Sequence, residues 1–206
     1  MNWQVIGEKK QKIRSILTES FNKFLPQVED IYTSKVPYSG IIITSDSKLT
    51  GKVVESSCYK KGGFVFLYKS YEQSYVDNGF KSLVDNIERL SFIYANEINL
   101  NPKHIELESC WAVSQEEGDY GTIHNHKSYS NNENLYSGMI YLKVPNNINP
   151  STFPDGCLHF IINESVMYYP PIVNSVVIWP AEILHGIHPF KGENKRIGIA
   201  FNVIIN

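Results

Sequence analysis

Three of the six histidines in the chain have a spacing that could bring them to one metal ion. His124 and His126 are separated by one residue, so in an extended segment both side chains project from the same side. His185 follows 61 positions after His124, where the β-branched run SVVIW has ended and the chain turns back. Neutral imidazole is a common ligand of iron, zinc and copper. We therefore interpret these three residues as a candidate mononuclear metal site.

Other side chains near these segments could also supply a ligand. Asp155 or Glu133 could provide a carboxylate instead of His126, although Asp155 suits a Pro-Asp-Gly turn and Glu133 lies in the polar loop NNEN. His188 could reach the same ion, but its place before Pro189 favours a surface or supporting role. The two remaining histidines stand alone in the sequence and are interpreted as structural: His104 and His159.

Arg196 opens an alternating apolar segment, RIGIAFNVII, and is the candidate for binding an anion. In a strand, one face of this segment carries Arg196, Gly198, Ala200 and Asn202, and the other carries Ile197, Ile199 and Phe201. The arginine either extends to the surface or faces a cavity, and its small neighbours favour the cavity. A guanidinium stays charged and binds a carboxylate through two parallel hydrogen bonds. The segment therefore predicts a buried site for a dicarboxylate.

The N-terminal half of the chain has helical and strand-like patterns. Apolar residues recur at three- and four-residue spacing over 8–33, which predicts a helix. A second helix is predicted over about 80–98, and its apolar face is Leu83, Ile87, Leu90 and Tyr94. Short strands are predicted at 39–45 and 64–68.

From residue 104 onward, the chain changes to strand-like runs that end at Gly, Pro, Asn or Asp. The five runs are HIELESCWAV, NLYSGMIYLKV, GCLHFII, SVVIW and RIGIAFNVII. Such a series is typical of an antiparallel sandwich or barrel. We expect an all-β core with flanking helices (α+β) in one domain over 1–206. Its N-terminal helices and strands (about 1–103) would pack on a core formed by about 104–206.

The composition limits the class of partner. The chain has 206 residues, 42% of them hydrophobic, with a formal net charge of −2 and a pI near 6.3, so we expect no nucleic-acid surface. It shows no apolar run near the ~18 residues of a membrane span and no secretion signal at its start. Three widely spaced cysteines suggest reduced thiols of a cytoplasmic protein.

Taken together, these motifs resemble the 2-oxoglutarate/iron(II) oxygenase superfamily. The pattern is an HxH, then the strand SGMIYLKV, then a distal histidine with an arginine eleven residues later. It is most similar to the prolyl-hydroxylase-like branch and to 2-oxoglutarate oxygenases common in bacteria and phages. The resemblance covers roughly residues 105–206, about half of the chain.

The resemblance implies a fold, cofactors and site roles. The fold would be a double-stranded β-helix of the jelly-roll or cupin-like type, and the cofactors would be Fe(II) and 2-oxoglutarate, with O₂ as co-substrate. His124 and His185 match the first and last iron ligands of the family. Arg196 matches the arginine that pairs with the far carboxylate of 2-oxoglutarate, and Tyr141 matches a tyrosine that donates its hydroxyl to the same carboxylate. The implied activity is hydroxylation of a substrate with release of succinate and CO₂.

Position 126 departs from the family pattern, which usually has Asp or Glu there. Three neutral imidazoles would leave the site one unit more positive than two histidines and a carboxylate, and they also suit zinc. Two alternatives therefore stay open: a cupin-like three-histidine metalloenzyme of another class, and a non-catalytic metal-binding β-helix module. Trp111 is a candidate for the pocket wall. The substrate, a small molecule or a peptide, is not identified by the sequence, and neither is the oligomeric state.

Overall fold

The computed structural model describes residues 81–127, 132–146, 148 and 154–206, together with Phe21 and six N-terminal strands. Within those residues, the strands in chain order are β1 (Gln4–Val5), β2 (Lys12–Leu17), β3 (Ile41–Thr44), β4 (Ser47–Thr50), β5 (Val54–Glu55), β6 (Gly63–Lys69), β7 (Ile105–Gln115), β8 (Gly121–His124), β9 (Leu135–Lys143), β10 (Leu158–Ile162), β11 (Ser165–Tyr169), β12 (Ser175–Pro180), β13 (Leu184–Ile187) and β14 (Arg196–Ile205). One helix, α1 (Lys81–Glu97), precedes β7.

The strands of the C-terminal half are distributed between two facing antiparallel sheets. The larger sheet has the order β1-β2-β12-β9-β14-β7-β6-β5, and the smaller has the order β11-β10-β13-β8. Strands β7, β9, β12 and β14 belong to the larger sheet, and β8, β10, β11 and β13 to the smaller. Because the chain passes repeatedly from one sheet to the other, the core is a double-stranded β-helix. The predicted fold class is confirmed.

All five predicted strand runs of this half are strands in the structure, and three further strands were not predicted. These are β8, β11 and β13, each of four or five residues with the sequences GTIH, SVMYY and LHGI. They belong to the smaller sheet, and β8 and β11 are its two edges. Their burial is partial or irregular, so their sequences lack a clear apolar alternation.

Helix α1 lies close to the predicted 80–98, and its predicted apolar face is the buried one. Leu83, Ile87, Leu90 and Tyr94 are at most 3% exposed and pack in one cluster with the outer face of the larger sheet. The Glu88 carboxylate accepts a hydrogen bond of 3.0 Å from the backbone N–H of Leu107, which fixes the helix against β7. No helix in the described part of the chain has the length and apolar character required to cross a membrane.

The helix predicted over 8–33 is wrong where the structure describes that segment. Lys12–Leu17 is strand β2, paired antiparallel with β12. Ile13 packs between the two sheets, whereas Ile16 packs on the helix side. Residues three apart lie on opposite faces of a strand, and because both faces are buried here, the apolar spacing imitates a helical period. Except for Phe21, residues 8–11 and 18–33 lie outside the described residues.

The N-terminal half contributes strands to the larger sheet. Strand β2 is hydrogen-bonded to β12, and β6 is hydrogen-bonded to β7. The predictions of strands at 39–45 and 64–68 are confirmed by β3 and β6. The organisation as a single domain with a boundary near residue 103 stays a prediction.

Strand β14 carries its residues on the two predicted faces. Ile197, Ile199 and Phe201 pack on the helix side, while Ala200 packs between the sheets. Gly198 makes room for a neighbour, since a Cβ there would lie 2.4 Å from Cε of the buried Met139. The small residue beside Arg196 therefore makes room for Met139, while the cavity expected at Arg196 stays a prediction.

A second glycine contact in the same sheet yields a stability prediction. A Cβ on Gly138 of β9 would lie 2.0 Å from Cζ of the fully buried Phe201. Gly138→Ala should therefore destabilise the fold by about 1–3 kcal/mol, as overpacking of a filled core does. In urea unfolding, the Gly138→Ala/Phe201→Leu double variant should lose less stability than the sum of the single variants. Strict additivity would contradict this account.

Candidate metal centre

The three histidines named by their spacing meet at one end of the smaller sheet. His124 ends β8, His185 lies in the adjacent β13, and these two residues are register partners. The backbone N–H of His126 bonds to the carbonyl of Ala181 at 2.9 Å, which holds the segment after β8 beside the turn before β13. One nitrogen from each of the three rings lies within 4.8 Å of the other two. The ring centroids are 4.5–5.2 Å apart.

Local hydrogen bonds orient two of these rings in the same way. Nδ1 of His124 lies 2.7 Å from the carbonyl oxygen of Thr122, and Nδ1 of His185 lies 2.9 Å from that of Ile183. A carbonyl accepts only, so each neutral ring carries its proton on Nδ1 and leaves the lone pair on Nε2. Each ring is therefore held by the carbonyl two residues earlier, with Nε2 available for a metal.

The third ring is held by a polar network from the larger sheet. Nδ1 of His126 lies 2.7 Å from Oδ1 of Asn202 and 2.8 Å from Oγ of Ser137, which itself donates to Oδ1 of Asn202 at 2.9 Å. Nδ2 of Asn202 donates to Oγ of Ser109 at 3.4 Å, and Ser109 donates to the Glu108 carboxylate. Each residue in this chain donates a hydrogen bond to the next one. The chain therefore leads from the His126 imidazole through Asn202 and Ser109 to the Glu108 carboxylate.

Burial keeps all three imidazoles neutral. Burial and, to a smaller extent, the like charge of His124 together lower the pKa of His126 to about 4. The pKa of His185 lies well below its ordinary value for the same reasons, first burial and then His126 and His124. The pKa of His124 is also lowered by burial. A metal ion requires imidazole ligands in this neutral form.

These residues fit a divalent transition metal. The site supplies three neutral nitrogen donors whose opposite ring nitrogens are each fixed by an acceptor, as is usual around protein-bound metals. Three imidazoles suit Fe(II) and also Zn(II). Within the described residues, no other group of three or more potential ligands converges in this way.

The alternative ligands lie elsewhere. Glu133 lines a surface cavity of about 160 Å³ together with Lys127 and Glu182. Oδ1 of Asp155 accepts a hydrogen bond of 3.0 Å from the backbone N–H of Lys191 in an exposed turn. The structure therefore brings neither carboxylate into the histidine group. His126 occupies the place in the sequence pattern where the family usually has an acid.

Aromatic side chains surround the histidines. The ring of Trp179 lies 4.9 Å from that of His185 in an edge arrangement, and Phe160 packs against Trp179 at 5.1 Å. Trp111 lies 5.6 Å from the ring of His126. The position of Trp111 in the wall of the site is confirmed. These rings exclude water from the histidine cluster on its inner side.

Arg196 is buried and does not extend to the surface. It is 1% exposed, and its two terminal nitrogens donate to the carbonyl of Gly156 and to the side-chain oxygen of Gln115. The guanidinium carbon lies 5.6 Å from the centre of the Phe190 ring. Tyr141, also 1% exposed, packs between the sheets and is in register with Gly198 of β14. The inward faces of neighbouring strands thus carry both predicted co-substrate residues.

Sequence reasoning missed the residues that support these groups. Asn202 was placed on the inward face of β14 without a role, and Ser137 and Gln115 were not singled out. A signal was present, because each is a polar residue in a strand whose other residues are mostly apolar. Such residues are costly to bury unless they are hydrogen-bonded, so they tend to mark internal polar networks.

Comparison with known proteins supports the family resemblance. Residues 109–202 match the model of the family described as "Putative 2OG-Fe(II) oxygenase". A prolyl-4-hydroxylase from Pseudomonas putida superposes with a TM-score of 0.62 at 8% identity, covering 95% of this chain and 94% of that one. No curated protein matches the sequence.

Two further solved structures have the same fold. The α-ketoglutarate-dependent epimerase SnoN from nogalamycin biosynthesis has a TM-score of 0.66 at 9% identity, with 96% and 77% of the two chains covered. HygX from Streptomyces hygroscopicus, solved with nickel and 2-oxoglutarate, has a TM-score of 0.59 at 10% identity, with 96% and 84% covered. At these identities the likeness shows the fold.

The segment 109–202, which contains every candidate site residue, therefore matches the family of 2-oxoglutarate/iron(II) oxygenases. The resemblance found in the sequence is confirmed. Fe(II) and 2-oxoglutarate are the cofactors of this family, and the three-histidine group is where this chain can bind a metal.

The polar network predicts that Asn202 tunes metal binding. Asn202→Ala removes the acceptor of the His126 Nδ1 proton, so the affinity for Co(II) or Zn(II) should fall by about tenfold, as for other residues that orient a ligand. Isothermal titration calorimetry measures the change. Asn134→Ala is the matched control, since its side chain bonds to the C-terminal Asn206 at the surface. Equal losses in both variants would contradict a specific role for Asn202.

A second histidine pair, on the outer face of the smaller sheet, predicts a pH effect. The rings of His159 and His188 lie 4.6 Å apart, and burial followed by the His188 charge lowers the pKa of His159 to about 4. The unfolded chain binds this proton below its ordinary pKa near 6.5, so stability is complete above that pH and falls as pH drops towards 4.

For the metal-free protein, the free energy of unfolding should therefore decrease from pH 7 to pH 5. The His159→Asn variant should take up as much as one proton fewer than the wild type when it unfolds near pH 5.5. Its free energy of unfolding, measured with urea, should therefore change less steeply with pH. The comparison is made within each variant, so a general loss of stability does not affect the slope. An unchanged slope would show that His159 is already protonated in the folded protein.

Proposed function

We propose that this protein is a 2-oxoglutarate- and Fe(II)-dependent oxygenase that hydroxylates a C–H bond of a small molecule or peptide and releases succinate and CO₂. The observation that carries the proposal is the convergence of the His124, His126 and His185 rings in a double-stranded β-helix of this superfamily. Arg196 and Tyr141 lie on inward-facing strands of the same core and supply donors for an anionic co-substrate.

The side chains of the site would have two roles, metal binding and co-substrate binding. His124, His126 and His185 would hold the metal through Nε2, because Nδ1 of each ring is already hydrogen-bonded. Bound Fe(II), together with 2-oxoglutarate and O₂, supplies the oxidising chemistry of the family. Arg196 would bind the far carboxylate of 2-oxoglutarate, and the Tyr141 hydroxyl would donate to the same group.

The surroundings of Arg196 would strengthen this recognition. Its guanidinium is 1% exposed and lies over the ring of Phe190, so little water competes with a carboxylate. Charge interactions are stronger in such a low-dielectric setting than in water. A dianionic keto acid would be favoured over a monoanionic one of the same length whose far end is uncharged.

The histidine at position 126 changes the charge of the centre. It brings no negative charge, so the charge of a divalent ion would be offset by the carboxylates of the co-substrate and not by the protein. The Asn202–Ser109–Glu108 network gives His126 an indirect connection to a carboxylate, which would increase the electron donation of its ring.

We further propose a small-molecule or peptide partner and no nucleic-acid partner. The formal net charge of −2 supports this, because phosphate backbones are bound by basic surfaces.

Formation of succinate from 2-oxoglutarate tests the activity. With Fe(II) and ascorbate, the wild-type protein should form succinate even without its substrate, at the slow uncoupled rate. His185→Ala should reduce the rate at least a hundredfold, since one of three metal ligands is lost. Arg196→Ala should raise the KM for 2-oxoglutarate at least tenfold with a smaller change in kcat. Asn134→Ala should match the wild type.

Other outcomes would identify another function. Metal binding with no 2-oxoglutarate binding or turnover would favour a cupin-like three-histidine metalloenzyme of another class. A melting temperature raised by metal, with no effect of 2-oxoglutarate, would favour a non-catalytic module. Once a substrate is found, a gain of one oxygen atom in the product separates hydroxylation from epimerisation, the reaction of SnoN.

A further inference from the structure

Gln115 presents a buried hydrogen-bond donor directly beside Arg196. It is the last residue of β7, is in register with Arg196 of β14, and is 1% exposed. On the same strand, Trp111 and Val113 pack between the two sheets, so by alternation Gln115 faces the interior as well. The Gln115 amide therefore lies inside the barrel, at the level of the guanidinium.

The orientation of this amide follows from its partner. A guanidinium can only donate, so the Gln115 atom that bonds to Nη2 of Arg196 is the amide oxygen. The amide nitrogen Nε2 consequently points away from the guanidinium. It is completely buried and has no hydrogen-bond partner among the residues that the structure describes. A buried N–H without an acceptor costs free energy, and such groups are rare unless something else occupies the site.

We propose that Gln115 is a positioning residue for the co-substrate: its oxygen orients Arg196, and its Nε2–H donates to the far carboxylate that Arg196 binds. This inference rests on the proposed function. The amide N–H of Gln115 lies beside a guanidinium, whose five N–H groups only donate. A carboxylate is the group that satisfies such a pair, since it has two oxygens that only accept.

Substitutions of nearly equal size separate this role from packing. Gln115→Glu keeps the shape but removes the donor, pairs its charge with Arg196 and repels a carboxylate. The affinity for 2-oxoglutarate should fall at least a hundredfold. Gln115→Met keeps the volume without polar atoms, so the affinity should fall about tenfold. Asn134→Asp is the control for the added charge and should bind 2-oxoglutarate as the wild type does.

The decisive measurement compares two ligands that differ only at the far end. Binding of 2-oxoglutarate and of its 5-methyl ester, in which the far carboxylate is uncharged, is measured by calorimetry on the Co(II)-loaded protein. In the wild type, 2-oxoglutarate should bind more tightly. In Gln115→Glu, the ratio of the two Kd values should shift at least tenfold towards the ester, because the new carboxylate repels 2-oxoglutarate but not the uncharged ester group. Co(II) affinity should not change in any variant.

The outcomes distinguish this inference from the function on which it rests. If the wild type binds 2-oxoglutarate and the Kd ratio is the same in Gln115→Glu, the role of Gln115 is overturned while the proposed function stands. If the wild type binds no 2-oxoglutarate, both fail. If Gln115→Glu does not fold, Gln115→Met decides, because unchanged affinity in that variant also overturns the inference.

Discussion

Hydrogen bonding at the Nδ1 atoms of three imidazoles is the constraint on which the rest of the site depends. Two of these bonds run to carbonyls of the same strand segments, and the third runs to Asn202 of the opposite sheet. Together they fix the tautomer and direction of each ring, so that the remaining nitrogens converge. The pairing of β8 with β13 brings His124 and His185 close together. The hydrogen bonds then orient the rings so that the group can hold an ion.

The proposed co-substrate site depends on a positive charge buried in the core. Arg196 costs free energy to bury, and the structure reduces this cost with neutral oxygens from Gly156 and Gln115 and with the face of Phe190. A guanidinium held in this way is preorganised for an anion, because its direction is set before the ligand arrives. The metal centre and this cation occupy the same β-helix core, which is the arrangement that a chelating dicarboxylate would use.

The replacement of the usual acid by His126 has consequences beyond the metal. A chain of hydrogen bonds leads from His126 to a carboxylate, that of Glu108 in β7. Since the links are the amide of Asn202 and the hydroxyl of Ser109, the negative charge stays outside the water-poor centre. Three neutral ligands can thus be buried together without the desolvation cost of an unpaired acid.

The sequence by itself determined five of the eight strands of the core, the helix at 81–97, the three histidines and the buried arginine. These follow from local periods, from an HxH that places two rings on one side, and from an arginine among apolar neighbours. Tertiary structure decided what depends on contacts between distant residues. Strand β2 was mistaken for a helix because both of its faces are covered by other elements, and Ser137, Asn202 and Gln115 acquired roles only when strands far apart in the chain became neighbours. A local pattern reports which face is apolar, but it cannot report which polar groups meet across a sheet.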